Sequence, residues 1–396
     1  MRAILVRLHR YLGLATALFL ALAGLTGSVL AFHHELDEWL NPGFYHTSGV
    51  GEVLPPERLV ARVEQAYPRM QVWYMEFPQE PGHAALLALV PRNDPQSGQP
   101  YAEKPVVRYL DAVTGEEVGY RHWGECCFSR QNLVPFLLEF HYNLALPGNW
   151  GLWLMGLVAI LWVVDSIVAL VLTFPRGRPF FAKWAVAWKV KPQRLNYDVH
   201  RAGGLWLWLL LLPVAISSVA MNLPEQVFKP VVSLVSPVPP SVYHARSQLA
   251  GEELGTTAYG YDEAYRHALR HAGQLGLDEP MTELYYSFEY NFYGAGFGAH
   301  DSDQGNAWVF FHGSDGRLLG SEIPGQGTLG ERFFRLQLPI HGGRILGFPG
   351  RVLIAVLGVA IAVLCVTGTL VWWRKRRARR ATRVSRPPAV EDMDAG

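Results

Sequence analysis

Near the amino terminus stands Leu8-His9-Arg10-Tyr11-Leu12-Gly13-Leu14, and a long apolar run follows it. Starting 191 residues later, a second apolar run is introduced by Val199-His200-Arg201-Ala202-Gly203-Gly204-Leu205. A third apolar run follows His141, and a fourth follows His341, 200 residues farther along the chain. The order of histidine, span, polar segment, histidine and span therefore occurs twice, which predicts an internally duplicated protein.

The repeat predicts where the four histidines meet. Equivalent residues of a two-fold duplicated bundle lie opposite one another across its axis, so we expect His9 to face His200 and His141 to face His341. Two imidazoles that face each other inside a four-helix bundle suit one purpose above others, which is to bind a haem iron from both sides.

The composition is that of a membrane protein. Of 396 residues, 50% are hydrophobic, 12% are aromatic and only 17% are charged, which is too apolar for an ordinary soluble protein. A bilayer is crossed by about 20 consecutive apolar residues. Four segments are long enough: Leu12–Phe32, Leu152–Phe174, Gly204–Leu223 and Val352–Trp373.

The net charge of +1 conceals a strong asymmetry. Basic residues cluster before the first span, between the second and third spans, and after the fourth span in Arg374–Arg380, whereas the two long polar segments are net acidic. The positive-inside rule then places both termini and the middle loop in the cytoplasm and both polar segments outside. We expect the first apolar run to remain as a span, because it is longer than the apolar region of a cleaved signal peptide.

Each outward segment has the pattern of a small α+β domain. In the first, a helix at Glu57–Tyr67 precedes strands at Val72–Phe77, Ala84–Val90 and Val106–Leu110. In the second, a helix is predicted at Tyr261–Ala272, with strands at Glu283–Phe292 and Ala307–Phe311. The last strand of each set leads into a turn with Thr-Gly or Asp-Gly and a further strand, which is a hairpin signature. The stretch Tyr285–His300, rich in aromatic residues and glycine, is either a loop that presents rings to a bulky ligand or a glycine-rich hairpin.

At this point the chain resembles a known family. The turn Asp111–Glu116 is similar to the end of a PepSY domain, and the spans introduced by the four histidine motifs resemble the PepSY-associated transmembrane helix family over about residues 5 to 375. The expected fold is a membrane all-α four-helix bundle, internally duplicated about a pseudo-two-fold axis, with two extracytoplasmic α+β PepSY-like domains. Two departures are the second hairpin turn, which lacks Thr-Gly, and Tyr142, which stands where arginine is commoner.

The predicted organisation has eight segments. The middle loop includes Phe180, Phe181, Trp184 and Trp188 among basic residues, a pattern typical of a short helix on the inner membrane surface or of a docking face for an electron donor. The segments are the amino terminus with the first span (1–32), the first periplasmic PepSY-like domain (33–140), the second span with an outer ligand segment (141–174), the cytoplasmic interfacial loop (175–199), the third span (200–223), the second periplasmic PepSY-like domain (224–340), the fourth span with an outer ligand segment (341–373) and the basic cytoplasmic tail (374–396).

The histidines predict two b-type haems. One haem is expected between His9 and His200 at the cytoplasmic side, and the other between His141 and His341 at the periplasmic side. Two neutral imidazoles give a six-coordinate iron suited to electron transfer. A zinc site would require four ligands in a compact tetrahedron, and each membrane level offers two.

Other polar residues near the spans are secondary candidates. Arg10 and Arg201 either pair with haem propionates or only follow the positive-inside rule. His33 and His34 lie at the outer end of the first span, where either one of them, with His34 the candidate, lines the outer haem or a substrate surface, or both are ordinary interfacial residues. Asp165 is the one acid deep in an apolar run, and an ionisable group there is expected to be functional. Arg344 and Arg351 are further candidates for propionate contacts on the outer side.

The resemblance implies a function. The family includes FoxB-type ferric-siderophore reductases of the bacterial inner membrane, so we expect electrons to pass from a quinol or a cytoplasmic reductase to a ferric siderophore outside. The expected partners are the ferric siderophore, the quinol or cytoplasmic reductase, and membrane lipid, with no nucleic acid.

The levels of the two histidine pairs are expected to lie about 30 Å apart, unless Pro147-Gly148 and Pro349-Gly350 bend the outer segments inward. Two alternatives stay open: a haem-free regulator of a periplasmic peptidase or cell-wall enzyme, and a transporter component for iron uptake.

Overall fold

A computed structural model describes residues 1–174, 184–249, 254–299, 302 and 305–384. Short helices precede and follow the long helices along the chain. Two further short helices, one of π type and one of 3-10 type, cover Pro224–Phe228 and Arg344–Leu346. The α-helices in chain order are α1 (Arg2–Leu30), α2 (His33–Leu40), α3 (Pro42–Tyr45), α4 (Pro56–Ala66), α5 (Leu133–Asn143), α6 (Trp150–Thr173), α7 (Pro192–Asn222), α8 (Lys229–Ser233), α9 (Val242–Arg246), α10 (Tyr261–Leu275), α11 (Leu329–Arg335), α12 (Gln337–His341) and α13 (Gly347–Val384).

Four of these helices, α1, α6, α7 and α13, are long and apolar enough to cross a membrane. Only 11% of the apolar window of α1 and 39% of that of α6 is buried by the rest of the protein, so much apolar surface is left for lipid to cover. The helices α1 and α7 begin ten or more residues before the predicted apolar runs, because a helix continues through its polar flanks. His9 and His200 consequently lie within helices rather than ahead of them.

The four spans pack so that α1 contacts α6 and α13, and α7 contacts the same two helices. The contact between α1 and α13 is close because glycines face each other. A Cβ atom built at Gly24 would lie 2.6 Å from the carbonyl oxygen of Gly358. The Ser28 hydroxyl donates a hydrogen bond of 2.7 Å to the Ala355 carbonyl of α13. Small residues that let two backbones approach are the usual means of helix association in lipid.

The extramembrane strands form one antiparallel sheet rather than two separate ones. Its strand order is β4-β3-β2-β1-β5-β6-β7-β8, so the first and second halves join where β1 pairs with β5 and Tyr74 lies opposite Tyr285. Two separate domains were expected, and the sheet shows instead that each half covers an edge that the other would leave exposed. The strands are β1 (Met70–Glu76), β2 (Ala84–Pro91), β3 (Val106–Asp111), β4 (Glu117–His122), β5 (Met281–Ser287), β6 (Phe292–Phe297), β7 (Ala307–His312) and β8 (Leu318–Glu322).

One face of the sheet is covered by α4 and α10. Their apolar sides contribute Leu59 and Ala264, both fully buried, to a single core that also contains Leu87 and Val309 from the strands. The hydroxyl of Tyr261 at the start of α10 donates to the carbonyl of Val72 in β1 at 2.8 Å. The second half therefore also bonds to the first through a side chain.

The glycine-rich stretch of the second half forms a hairpin, which was one of the two interpretations of its sequence. The predicted strand Glu283–Phe292 ends earlier, at Ser287, and the chain turns before β6 begins at Phe292. Asn291 has a φ of 47° in this turn, a conformation that asparagine adopts more readily than most residues. The predicted strand continued through the turn because the turn contains Phe288 and Tyr290, and aromatic residues are common in strands.

The turns after β3 and β7 have the same backbone hydrogen bonds despite their different sequences. In the first, Gly115 has a φ of 70° and donates to the Asp111 carbonyl at 2.7 Å. In the second, Gly316 has a φ of 66° and donates to the His312 carbonyl at 3.0 Å. The second turn therefore lacks the Thr-Gly pair but keeps the backbone conformation of the first hairpin.

Asp111 stabilises the first turn through backbone donors. Its carboxylate accepts hydrogen bonds from the N–H groups of Gly49 at 2.8 Å, Val113 at 2.9 Å and Thr114 at 3.0 Å. Burial opposes ionisation here, but these donors outweigh it and hold the pKa of Asp111 below its ordinary value. The ionised carboxylate thus contributes stability at pH values above the unfolded pKa of about 3.9, and that contribution is lost as the pH falls through the folded pKa.

We expect Asp111→Asn to reduce the free energy of unfolding of the extramembrane domain by about 1–3 kcal/mol at neutral pH, because the amide NH₂ cannot accept the Gly49 N–H. The loss should shrink as the pH falls below about 4, where the unfolded wild-type chain takes up a proton at Asp111, and should vanish below the folded pKa. Urea unfolding of both proteins across this pH range measures the difference. A difference that stays constant with pH would contradict the role of the charge.

The middle loop is only partly described. Phe180 and Phe181, half of the aromatic residues on which the interfacial helix was predicted, lie in 175–183, outside the described residues. The described remainder, 184–191, contains no helix before α7 begins at Pro192.

Candidate metal-binding histidine pairs

The structure brings the four predicted histidines together as two facing pairs. The ring centroids of His9 in α1 and His200 in α7 lie 6.2 Å apart, and we call these residues the first pair. The ring centroids of His141 in α5 and His341 in α12 lie 6.1 Å apart, and these residues form the second pair. Since a bond from a metal to an imidazole nitrogen is about 2 Å long, two rings on opposite sides of one ion have centroids about 6 Å apart. Both pairs have this spacing.

In the first pair, each ring is oriented by a neighbouring span. The Nδ1 atom of His9 lies 2.8 Å from a carboxylate oxygen of Asp165 in α6. The Nδ1 atom of His200 lies 3.0 Å from the Leu364 carbonyl and 3.3 Å from the Thr367 hydroxyl, both in α13. The isolated acid of the second predicted span is thus a partner of a candidate ligand.

In the second pair, each ring is oriented by a hydroxyl of a span. The Nδ1 atom of His141 lies 2.9 Å from the hydroxyl of Thr26 in α1, and that of His341 lies 3.0 Å from the hydroxyl of Ser217 in α7. Both hydroxyls donate their own hydrogen to their helix, Thr26 to the Leu22 carbonyl and Ser217 to a carbonyl one turn back.

These partners favour one tautomer of the rings. A carboxylate and a carbonyl only accept, so Nδ1 of His9 and of His200 carries the proton and donates it. The Thr26 and Ser217 hydroxyls accept from Nδ1 in the same way when their own hydrogens go to helix carbonyls. In the neutral ring Nε2 then has a free lone pair, which is the form that binds a metal. Donation from the other ring nitrogen to such a group is the usual orienting interaction of a ligating histidine.

Two glycines leave room for the rings. A Cβ atom built at Gly368 in α13 would lie 2.8 Å from Cε1 of His200, and one built at Gly27 in α1 would lie 3.0 Å from Cε1 of His141. A side chain at either position would displace an imidazole or force the helices apart. The space around one ring of each pair therefore depends on a glycine.

The two pairs lie closer together than the roughly 30 Å expected when the outer segments do not bend inward. Thr26 marks the level of the second pair on α1, and it follows His9 by 17 residues, which corresponds to about 25 Å along a helix. Both histidines of the second pair lie on short helices beside the spans, at a level before the spans end. Between the levels lies an apolar cluster that includes Leu211, Leu357 and Trp162.

The arginines near the spans are bound by protein groups. Arg201 donates to the Ala185 carbonyl at 2.9 Å and to the buried carboxylate of Asp198 at 3.4 Å. Arg351 forms an ion pair of 2.6 Å with Glu35. Both guanidinium groups therefore already have protein partners, and a propionate contact by either stays a prediction.

His34 and Arg10 remain candidates with little structural support. His34 is exposed on α2, with its ring centroid 5.9 Å from that of Tyr45, so the structure places it against a tyrosine rather than between the second pair. Arg10 is half-buried in α1, next to His9. A propionate contact by Arg10 stays a prediction.

An open groove of about 370 Å³ lies near the cationic end of the spans. It lies between the start of α7 and the later part of α13. Tyr197, one of its lining residues, is one helical turn before His200. The ammonium group of Lys375 lies 5.6 Å from the ring centroid of Tyr197. The remaining lining residues are Gln193, Arg194, Asn196, Val371 and Arg374.

Thr26 and Ser217 were missed in the sequence, although a signal was present. They are 191 residues apart, the same spacing that relates His9 to His200. A comparison of hydroxyl residues at the repeat spacing would have paired them. Hydroxyl residues are common in spans, so the pairing gains meaning only with the contacts to the second pair.

No curated protein gives a significant match to this chain. The family described as the PepSY-associated TM region matches residues 6–375, which is nearly the whole chain and includes both histidine pairs. The family resemblance noted in the sequence is thereby confirmed. This protein is a membrane protein that belongs to the PepSY-associated TM region family.

Proposed function

We propose that this protein is a di-haem b oxidoreductase of the bacterial inner membrane, which reduces ferric siderophores in the periplasm with electrons from the cytoplasmic or quinol side. The observation that carries the proposal is the pair of histidine clamps, with ring centroids 6.2 and 6.1 Å apart and every Nδ1 bound to an acceptor. Haem held between such rings would supply one-electron transfer. The alternatives, a haem-free regulator and a transporter component, leave these clamps without a purpose.

The histidines would hold the two haems, and their hydrogen-bond partners would set the reduction potentials. His9 would be the more electron-rich ligand, because its Nδ1–H donates to the Asp165 carboxylate 2.8 Å away. The second pair has neutral hydroxyl partners, Thr26 and Ser217, which orient the rings without adding charge. This difference favours a lower reduction potential at the first pair and therefore an electron flow toward the second. We also propose that the spans form an internally duplicated bundle, which is supported by the shared spacing of 191 residues from His9 to His200 and from Thr26 to Ser217.

The groove lined by Tyr197, one helical turn before His200, suits an electron donor. It lies at the end of the spans where positive charge is concentrated, and Tyr197 and Lys375 could contact the head group of a quinol. One quinol supplies two electrons and releases two protons, so it would reduce two ferric complexes to two ferrous ones. Ferrous iron is held less tightly by oxygen-rich ligands because of its lower charge, and reduction therefore releases it.

The optical spectrum of the purified protein tests the proposal. We expect a sharp reduced α-band and a pyridine haemochromogen count of two b-type haems per chain. A protein that stays colourless after expression with haem supplied would exclude the reductase and favour the regulator.

The hydroxyl partners of the second pair provide a finer test. Thr26→Val and Ser217→Ala each remove an Nδ1 acceptor with little change of shape, so we expect haem to bind the second pair about 10–100-fold more weakly. Haem transfer to excess apomyoglobin measures the loss. Thr16→Val is the matched control, because the Thr16 hydroxyl donates to Leu12 within the same helix. Equal losses from Thr16→Val and Thr26→Val would contradict an orienting role.

A further inference from the structure

Three metal-ligating side chains meet outside the spans, where α2, α3 and β2 approach one another. The carboxylate of Glu38 in α2 lies 3.1 Å from Nε2 of His46 and 3.8 Å from Nε2 of His83. The two imidazole centroids are 5.2 Å apart. One ligand atom from each residue lies within 4.8 Å of the other two.

The backbone holds the two histidines side by side. His46 directly follows α3 and forms an isolated antiparallel bridge with His83, which directly precedes β2. The N–H of Thr47 donates to the Gly82 carbonyl at 2.7 Å and reinforces this bridge. The two rings thus come from a paired backbone rather than from mobile loops.

Glu38 and His46 each follow a residue of a buried network. The carboxylate of Asp37 forms two hydrogen bonds with Arg121, of 2.9 and 2.5 Å, and accepts the hydroxyl of Tyr45 at 2.5 Å. Asp37 and Arg121 are only 7% and 5% exposed. Since Asp37 precedes Glu38 and Tyr45 precedes His46, the network fixes the backbone from which both side chains project. Such support is what a ligand site needs in order to be preorganised.

We propose that Glu38, His46 and His83 form a binding site for a divalent first-row transition-metal ion. Two imidazoles and one carboxylate are typical ligands of Zn²⁺ and Fe²⁺, whereas Ca²⁺ and Mg²⁺ prefer sites made of oxygen. Bonds of about 2.0–2.2 Å to one ion require only a small closure of these side chains. His46 remains 55% exposed, so water or a further ligand can complete the coordination.

The position of the site suggests what it serves. It lies on α2, which begins three residues after α1 ends, on the same side of the spans as the second pair. This link rests on the proposed function: a site here would receive ferrous iron where reduction releases it. The metal site itself depends on neither haem nor reduction.

Zinc binding to the full-length protein in detergent tests the site. The protein should carry no histidine tag, and Zn²⁺ is the probe because haem iron does not interfere with its measurement. After equilibrium dialysis against Zn²⁺, elemental analysis is expected to give one tightly bound ion per chain. His46→Ala and His83→Ala should each weaken this binding more than about 100-fold, since loss of an orienting partner alone costs about 10–100-fold. His244→Ala, which changes an exposed histidine outside the cluster, should leave it unchanged.

The same samples separate the possible failures. Thermal unfolding shows whether a variant is folded, and the haem spectrum reports on the proposed reductase independently of zinc. Glu38→Gln, which retains the shape of the side chain, is expected to weaken Zn²⁺ binding as well. Wild-type protein that binds no zinc tightly, or zinc binding that survives His46→Ala combined with His83→Ala, would overturn the site even if both haems are present.

Discussion

Replacing His200 with alanine is expected to leave the purified protein with one haem instead of two, because an iron held between His9 and His200 would lose an axial ligand. His9→Ala should have the same result, whereas His141→Ala and His341→Ala should each remove the other haem. If a weakened haem is retained, its spectrum should change from low spin to high spin. Haemochromogen counts and electron paramagnetic resonance measure both outcomes.

Double substitutions test which histidines share an iron. His9→Ala combined with His200→Ala should remove no more haem than either change alone, since both ligands belong to the same clamp. His9→Ala combined with His141→Ala should remove both haems. His34→Ala is the control, because His34 lies against Tyr45 and should retain two haems. A double change within one pair that removes both haems would contradict the pairing.

Arg121→Ala is expected to reduce the free energy of unfolding of the extramembrane domain by about 3–5 kcal/mol. The substitution would leave the Asp37 carboxylate buried without its partner, and an uncompensated buried charge is costly. The network would also lose the contact between Arg121 and the hydroxyl of Tyr109. Burial raises the pKa of Tyr109 to about 12, so this hydroxyl stays neutral and adds no second negative charge beside Asp37.

Pulse proteolysis in urea measures this loss on the intact protein in detergent. Arg69→Ala is the matched control, because Arg69 forms an ion pair with Glu103 but is 66% exposed, and such pairs contribute only about 0–1 kcal/mol. Arg121→Ala should also weaken zinc binding, since α2 would lose the contact that fixes Glu38. Equal effects of the two arginine changes would show that burial does not set the strength of the Asp37–Arg121 pair.

Much of the architecture could be predicted because it depends on patterns that are local in the chain. Spans follow from runs of apolar residues, and hairpins follow from alternation and turn residues such as Gly115. The facing of His9 and His200 followed from the repeat. The family assignment is confirmed, while haem binding, electron transfer and the side of the membrane stay predictions.

The remaining features could not be predicted, because they depend on contacts between distant segments. The pairing of β1 with β5 uses backbone hydrogen bonds, which carry little sequence signal. The partners of the second pair, Thr26 and Ser217, resemble ordinary hydroxyl residues until the short helices place a ring beside each. The cluster of Glu38, His46 and His83 is likewise assembled from three elements, and its residues are too far apart in sequence for a spacing motif.

The single sheet has a consequence for how the protein is made. When the ribosome has produced only the first half, β1 pairs with β2 on one side and has an open edge on the other. The strand that closes this edge, β5, comes after α6 and α7 in the chain, so it is synthesised only after both of these spans. An open edge invites pairing with other chains. The nascent protein therefore passes through a stage in which aggregation competes with completion, and its biogenesis is expected to need either a chaperone or rapid insertion of the two middle spans.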